Sequence, residues 1–590
     1  MKKKLLHLAS DTFKGGAESV FRNTIEATLE SKKFEIYVAS CDDPPPCNIA
    51  DTHFLHLDDW QLYPKWRGAY KYIFNLTNYK RLKTFLFATK PEIIHTQNYL
   101  SRLSPSILFA LRAYKAKYPQ VKLIYTQHGF GPCANGGFYN YAKAQICEKC
   151  IGHSKLRIAY ENCDRRGRIH SLLKALRSPF YQGVFLQEKE LFDTIICVGE
   201  FQRSKHIQDG WDSNKLITLT NPIETRFYNP HTSLDDKQNL IIFFGRLSPE
   251  KNVPLLIHAF ANLLKIPRFS HYQLLIIGDG DDKPKCLELA QRLIKHSNTG
   301  LDSILDSAQN LQPKSNLTQI SLPYTFLPAR SPQEIAAILT KAKLSILPSL
   351  WYETFGLTII ESILAGAIPI VSDLGAMQET VAQFYGKSFS FDPNIATKEN
   401  NIQSLEVCII NTLDSYESEF ATLLDKREEI IQNLRSHHYL NKLIKLYLYG
   451  GGGIITIELS LLMLCAFAHH LQAPIQFIKA LSPQELKWIL TKAKLSISPS
   501  LLNETFGLTI VESMLCGTPA LVANRPELNT TAQRFGGFVF DDLQKSLCEV
   551  LDEYDKYFSY FLKKREKSAT YILSHPYPKE LHNLYEYSNL

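Results

Sequence analysis

Leu240-Ile-Ile-Phe-Phe244-Gly245-Arg246-Leu-Ser-Pro249-Glu-Lys251-Asn252 reads as a buried strand, a glycine turn and the opening of a helix. Five consecutive apolar residues suit a strand covered on both faces, as in a parallel sheet flanked by helices. The same rhythm continues downstream at Gln273–Ile277, Leu344–Leu347 and Ile368–Val371. Upstream it appears at Leu5–Ala9, Phe34–Ala39, Ile93–His95, Lys122–Thr126 and Thr194–Val198, each run separated from the next by longer amphipathic or loop segments. That alternation predicts an α/β chain with two doubly wound, Rossmann-like domains. The boundary is expected near Thr220-Asn-Pro-Ile-Glu224, where a proline turn meets a polar stretch to Gln238, giving domains over 1–220 and 221–449. A ligand is expected in the cleft between them, at the carboxyl ends of the strands.

The chain has 590 residues, too many for one core, and 45% hydrophobic with 21% charged residues is an ordinary globular balance. A small binding module and the collagen-like, coiled-coil and wholly disordered classes are excluded. The net charge of +8 suits an anionic substrate or an acidic membrane face and does not call for nucleic acid. Lys2-Lys3-Lys4 imitates the start of a leader, but the apolar stretch after it stops at Asp11 and reads as a first strand. The longest apolar run, Ile454 to Phe467, is interrupted by Glu458 and Ser460 and falls short of a membrane span. The expectation is a cytoplasmic protein, at most peripheral at the inner face of the cytoplasmic membrane.

The chain also repeats itself. Ser331–Glu361 returns without gaps as Ser482–Glu512, 151 positions later, with Lys-Ala-Lys-Leu-Ser-Ile and Glu-Thr-Phe-Gly-Leu-Thr-Ile in both copies. The second copy, within 450–590, reproduces the carboxylates as Glu504 and Glu512 but has no counterpart of Gly245–Asn252. It reads as a partial duplicate of half a domain, too little for a second complete enzyme.

Four segments carry chemistry. Arg246 offers a planar fork for phosphate oxygens and Lys251 a point charge; a turn between them can bring both heads onto one anion, as a diphosphate clamp or as a solvated basic turn. Glu353-Thr-Phe355-Gly356-Leu357-Thr-Ile-Ile-Glu361 places two carboxylates around the opening of a helix, whose first amides form an anion site. The alternative there is a pair of glutamates serving only the helix dipole and a solvated face. Gly15-Gly16 lies in the first strand-to-helix loop, where glycine lets backbone approach a phosphate; no dinucleotide fingerprint or Walker loop is present. His128-Gly129 ends a strand and is either a ligand contact or a structural histidine.

Cys133, Cys147, Cys150 and Cys163 fall in one stretch, and Cys147-Glu-Lys-Cys150 has the spacing with which two thiolates reach one zinc ion. A structural zinc site of four thiolates and a set of buried or free cysteines in a long loop are the two readings. Disulfides are not expected in a cytosolic chain.

Taken in order, Gly15-Gly16-Ala17-Glu18, His128-Gly129, Gly245-Arg246 with Lys251-Asn252, Gly278-Asp279-Gly280, Glu353 and Glu361, then Gly366 and Pro369-Ile-Val-Ser-Asp373, resemble the family 4 retaining glycosyltransferases of the GT-B fold. The resemblance covers residues 1 to about 449. It implies a UDP- or GDP-sugar donor bound mainly by the second domain. It implies a glycan or lipid-linked saccharide acceptor bound mainly by the first, in surface polysaccharide or lipopolysaccharide-type synthesis. It further implies that Arg246 and Lys251 hold the donor diphosphate, Glu361 the ribose and Glu353 the transferred sugar. Phe355, Gly356, Leu357, Gly15 and Gly16 would complete the phosphate cradle, with His128 at the reacting centre. Transfer would retain the anomeric configuration without a metal ion. Residues 298–322 and the cysteine loop depart from the pattern as insertions. A nucleotide-sugar epimerase or phosphorylase on the same fold, or a non-catalytic sugar-nucleotide-binding protein, are the other readings. The sugar, the base and the acceptor depend on a few cleft contacts that sequence does not reveal.

Overall fold

The computed structural model describes residues 2–10, 16–42, 53–223, 225–296, 323–393, 398–435 and 438–449, with short stretches at 496–498, 513, 519–524, 537–540 and 560–561. The chain divides into two compact units, Met1–Gly451 and Gly452–Leu590.

The first unit contains two parallel sheets. One is built from β1 (Lys3–Leu8), β2 (Phe34–Ser40), β3 (Phe54–His56), β4 (Ile93–Gln97), β5 (Lys122–Gln127), β8 (Thr194–Cys197) and β9 (Leu216–Thr218), in the order β3-β2-β1-β4-β5-β8-β9. Between β5 and β8, the short β6 (Tyr139–Asn140) and β7 (Gln145–Ile146) pair antiparallel inside the cysteine-bearing loop. The other sheet comprises β10 (Leu240–Phe244), β11 (Gln273–Ile277), β12 (Tyr324–Leu327), β13 (Leu344–Leu347), β14 (Ile368–Ser372) and β15 (Lys387–Phe389), in the order β12-β11-β10-β13-β14-β15. This is the expected α/β, GT-B-type pair of doubly wound sheets. The nine runs read from sequence are all strands, and what the reading missed are mainly the edges β3, β9, β12 and β15, each three or four residues long. So short a strand carries too little periodicity to be read alone. In both sheets the order reverses next to the first strand, between β1 and β4 and between β10 and β13, which opens a crevice at their carboxyl ends.

The second sheet is cored by one large cluster including Ile241, Ile242, Leu274, Ile276, Ile346 and Ile370, all fully buried or nearly so. The first sheet has a cluster on each face, and one of them is closed by Leu443, Ile444, Leu446 and Tyr447 of the helix His438–Tyr449. That helix was expected to close the second domain. Instead it returns to the first, where the Tyr447 hydroxyl lies 2.6 Å from His95 Nδ1 and Tyr439 lies 3.1 Å from Thr24. The physical reason is its apolar face, for which the outer face of β1 and β4 supplies partners.

Within the second unit, β16 (Ser496–Ser498), β17 (Ala520–Ala523) and β18 (Phe538–Phe540) form a parallel sheet. Ser496, Ile497 and Ser498 pair with Ala520, Leu521 and Val522, as Ser345, Ile346 and Leu347 pair with Pro369, Ile370 and Val371. The pairing of β17 with β18 likewise repeats that of β14 with β15, every partner shifted by the same 151 positions. Glu504, Glu512 and the glycines at 450–453 lie outside the described residues.

His7, His95 and His206 are buried in the first domain, and burial holds His7 down to about 3 and His206 down to about 4. Folded, they stay neutral while the unfolded chain takes up protons below about 6.5, so stability is full above that pH and is lost as pH falls. Urea unfolding between pH 6.5 and 5 should show a loss of about 1–2 kcal/mol per buried histidine. His7→Gln should make that slope shallower.

Candidate functional site

The loops that follow β10 and β11 are laced together by backbone. Gly245 N–H donates to Ile277 O at 3.0 Å and Leu247 N–H to Asp279 O at 3.0 Å. The approach is so close that a Cβ on Gly278 would sit 1.9 Å from Gly245 O, and one on Gly280 2.1 Å from Leu247 O. Both glycines also have positive φ, so no other residue fits either position. This holds Arg246 at the carboxyl end of β10, half exposed, with Nη2 3.0 Å from Glu250 Oε1. Glu250 is itself fully buried.

The turn Pro249–Lys251 then carries Lys251 towards the loop after β13, where its ammonium pairs with Glu353. Glu353 also accepts from Trp351 Nε1 at 2.8 Å and from Ser349 Oγ at 3.3 Å. Burial pushes its carboxyl upwards, but Lys251 and these donors outweigh burial and hold it below the usual glutamate range. Gly356, at φ 75°, turns the chain into the helix Leu357–Ala365, and Phe355 is buried beneath that turn. Glu361 is half-buried in the helix's second turn. The β10 and β13 loops are tied by Leu350 N–H donating to Glu250 O at 2.9 Å. They therefore meet at the reversal point of the sheet.

His128 follows the end of β5 and meets the loop after β13 through its backbone carbonyl. Its Nε2 lies 2.9 Å from Gln97 Oε1; a carbonyl oxygen only accepts, so Nε2 carries the proton and Nδ1 the lone pair. Burial lowers its pKa to about 4, which leaves the imidazole neutral at pH 7. Thr354 Oγ1 donates to His128 O at 3.3 Å, linking the two domains at the site. The Glu379 carboxylate accepts from the amides of Glu200 and Phe201 at 2.7 and 2.8 Å, capping the first-domain helix Glu200–Gln208 from the second domain. Tyr352 completes the seam against Phe130, Phe138 and Phe201.

The structure thus brings together His128, Arg246, Lys251, Glu353, Phe355, Gly356, Leu357 and Glu361. Gly15 lies outside the described residues, and Gly16 is the first residue of the helix Gly16–Glu30. One expectation changes: Arg246 and Lys251 do not turn to a common point but each engages its own carboxylate, Glu250 and Glu353. Four contributors were missed in the sequence, namely Trp351, Thr354, Gln97 and Glu379. Thr354 lies inside the Glu353–Glu361 motif and Trp351 two residues before it, whereas Gln97 and Glu379 carry no motif; Thr354, Gln97 and Glu379 act through contacts between segments far apart in the chain.

The four cysteines come together, Cys133 next to Cys150 and Cys147 next to Cys163, and the Cys133 thiol donates to Gly137 O at 3.2 Å. Among the described residues no three His, Cys, Asp or Glu side chains are grouped to hold a metal ion.

A model described as Glycosyltransferase Family 4 matches residues 14–227, and two described as Glycosyl transferases group 1 match 238–415 and 428–554. The D-inositol 3-phosphate glycosyltransferase of Gordonia bronchialis is 30% identical over 204 residues, 32% of this chain and 39% of that protein. That of Rhodococcus opacus is 27% identical over 176 residues, 28% of this chain and 35% of that protein. The chain therefore spans well under half the length of these curated relatives. Among solved structures, Anabaena HepE in complex with UDP has a TM-score of 0.48 at 15% identity, covering 75% of this chain and 98% of its own. WaaG, a glycosyltransferase involved in lipopolysaccharide biosynthesis, has a TM-score of 0.48 at 13% identity, covering 76% of this chain and 100% of its own.

The hydrogen bond from Cys163 holds the half-buried Cys147 thiol well below the ordinary thiol range. Iodoacetamide labelling of Cys147, followed by peptide mass spectrometry across pH 5–9, should therefore level off at lower pH than for a free cysteine. In Cys163→Ser the profile should move.

Proposed function

We propose that this chain, whose family matches support a family 4 glycosyltransferase, moves a sugar from a nucleotide-sugar donor to a hydroxyl of a glycan or lipid-linked saccharide, with retention of configuration. The observation that carries this reading is the Lys251–Glu353 pair at the reversal point of the second sheet, in the loop whose Thr354 bonds the His128 backbone, with Arg246 on the neighbouring turn. The diphosphate of a nucleotide-sugar carries two negative charges and gains a third as the glycosidic bond breaks, until it takes the acceptor proton. The guanidinium and ammonium stabilise the charge that grows on it as the glycosidic bond breaks, which is usually the largest catalytic term. The amides around Gly356 and Leu357 add the partial charge of a helix N-terminus.

In this reading Glu353 does two things. Its paired carboxylate fixes Lys251, and its oxygens accept from hydroxyls of the transferred sugar. Glu361, deeper in the same helix, accepts from the ribose. Neutral His128 offers a lone pair at the side from which the acceptor arrives. The leaving phosphate takes the acceptor proton in a front-face transfer, so no metal ion is assigned a step. UDP- and GDP-sugars are the donor classes proposed, and surface polysaccharide or lipopolysaccharide-type assembly the setting. Peripheral contact with an acidic membrane face agrees with the net charge of +8.

The second unit is read as a partial copy of the donor half, supported by its repeated strand register and by the group 1 match over 428–554. It has no counterpart of Arg246 and Lys251, so no separate activity is assigned to it.

Released nucleotide measured over a panel of UDP- and GDP-sugars, with and without lipid-linked saccharides, tests the reading. Lys251→Ala and Glu353→Gln should each lower kcat/KM by about 10²–10³-fold. Donor isomerisation without transfer would favour an epimerase instead, and unchanged turnover in both variants would remove the site assignment. A chain ending at Gly451 should keep its transfer rate; a large loss would give the second unit a working role.

A further inference from the structure

A cavity of about 460 Å³ opens at the carboxyl ends of β4 and β5, under the helix Arg168–Arg177. Its lining includes Arg177, Gln127, Gln182, Glu188 and His128. Arg177 is only 4% exposed, stacked 4.0 Å from the Tyr72 ring, and donates from Nη1 to Leu100 O at 3.0 Å. Its Nε has no partner, and among the described residues no carboxylate lies within ion-pair distance of it. A buried guanidinium without a counter-ion is an expensive arrangement unless something that binds there supplies the negative charge.

Other groups of the cavity are unmatched in the same way. Gln127 Nε2 is a buried donor and Gln182 Oε1 a buried acceptor, and neither has a partner. Glu188 is buried, accepts from Tyr99 and from Gln182, and burial pushes it up to about 7, so near neutral pH it offers about half a compensating charge, against the three cations Arg166, Lys174 and Arg177. Arg166 and Lys174 line the cavity too and share one carboxylate, Asp164, at 3.1 and 2.8 Å. The balance of charge is positive. A second cavity, of about 340 Å³, shares Asn135, Gly136, Arg166 and Lys174 with the first and is also lined by Arg246 and Trp351. The two cavities thus share one wall, with Arg177 on the far side of the first and Arg246 lining the second.

We propose that this cavity is the acceptor pocket and that it selects a hydroxylated ring carrying a phosphate or carboxylate group, with Arg177 meeting the charge and Gln127 and Gln182 meeting ring hydroxyls. The proposal rests on the transferase reading above and adds the chemical class of the acceptor. An orphan donor and an orphan acceptor together suit hydroxyls, which donate and accept at once. Water satisfies the glutamines equally well, but it does not neutralise Arg177. The anion is therefore the part of the ligand that this site demands.

Calorimetric titration of the full chain with D-glucose 6-phosphate, D-glucuronate and D-glucose, together with phosphatidylinositol in phosphatidylcholine vesicles against phosphatidylcholine alone, tests the class and separates a soluble from a lipid-borne source. At least one anionic ring should bind tenfold or more tightly than its neutral control, and Arg177→Met should abolish the difference. UDP or GDP binding should be unaffected by that substitution. Because the substitution removes an uncompensated buried charge, the melting temperature should hold or rise. No preference for the anionic rings, or a preference that survives Arg177→Met, overturns the proposal, as does a fall in melting temperature with ring binding unchanged, which marks Arg177 as structural. Failure of both UDP and GDP to bind would instead strike the transferase reading.

Discussion

The Lys251–Glu353 ion pair is the contact on which the arrangement of the site depends. Glu353 is a carboxylate taken out of water, and such a group stays ionised only if opposite charge and donors surround it. Lys251, Trp351 and Ser349 do this, and they come from the turn after β10 and the loop after β13. Satisfying one carboxylate therefore fixes two loops against each other at the point where the sheet reverses. Arg246 is held next to them because the glycine loops after β10 and β11 leave the backbone no other course.

A second set of contacts fixes the site relative to the first domain. Glu379 caps a first-domain helix, Thr354 binds the backbone of His128, and Tyr352 packs among three phenylalanines. Thr354 and Tyr352 flank Glu353 and reach His128 and Phe130 at the end of the fifth strand. The helix His438–Tyr449 adds a third tie, since it continues from the second domain yet buries Leu443 and Tyr447 against the first sheet. Motion that opens the cleft has to break polar contacts at its mouth, while the apolar anchor of this helix lies on the outer face of the first sheet.

The legible part of the protein was the part written in local pattern. Apolar runs such as Leu240–Phe244 announced central strands because residues buried on both faces are uniformly apolar. The turns that carry Arg246, Lys251 and Glu353 were legible because glycine turns and helix starts carry sequence signals of their own. The 151-residue repeat was legible as identity, and the strands β16 to β18 reproduce it as register. Short edges such as β3 and β15 were not legible. Nor was the pairing of Arg246 with Glu250, because a salt bridge between neighbours in sequence looks the same as two solvated charges.

The sequence by itself determined the α/β class and the central strands of two parallel sheets, since each is encoded within a window of a dozen residues or less. Only the tertiary structure decided that the last helix crosses back to the first sheet, that the four cysteines meet as two pairs, and that Arg177 sits buried without a carboxylate beside two unmatched glutamines. The reason is one of range. Periodicity records which face of an element is buried. What meets that face, and whether a buried charge finds a partner, is settled by segments tens to hundreds of residues away.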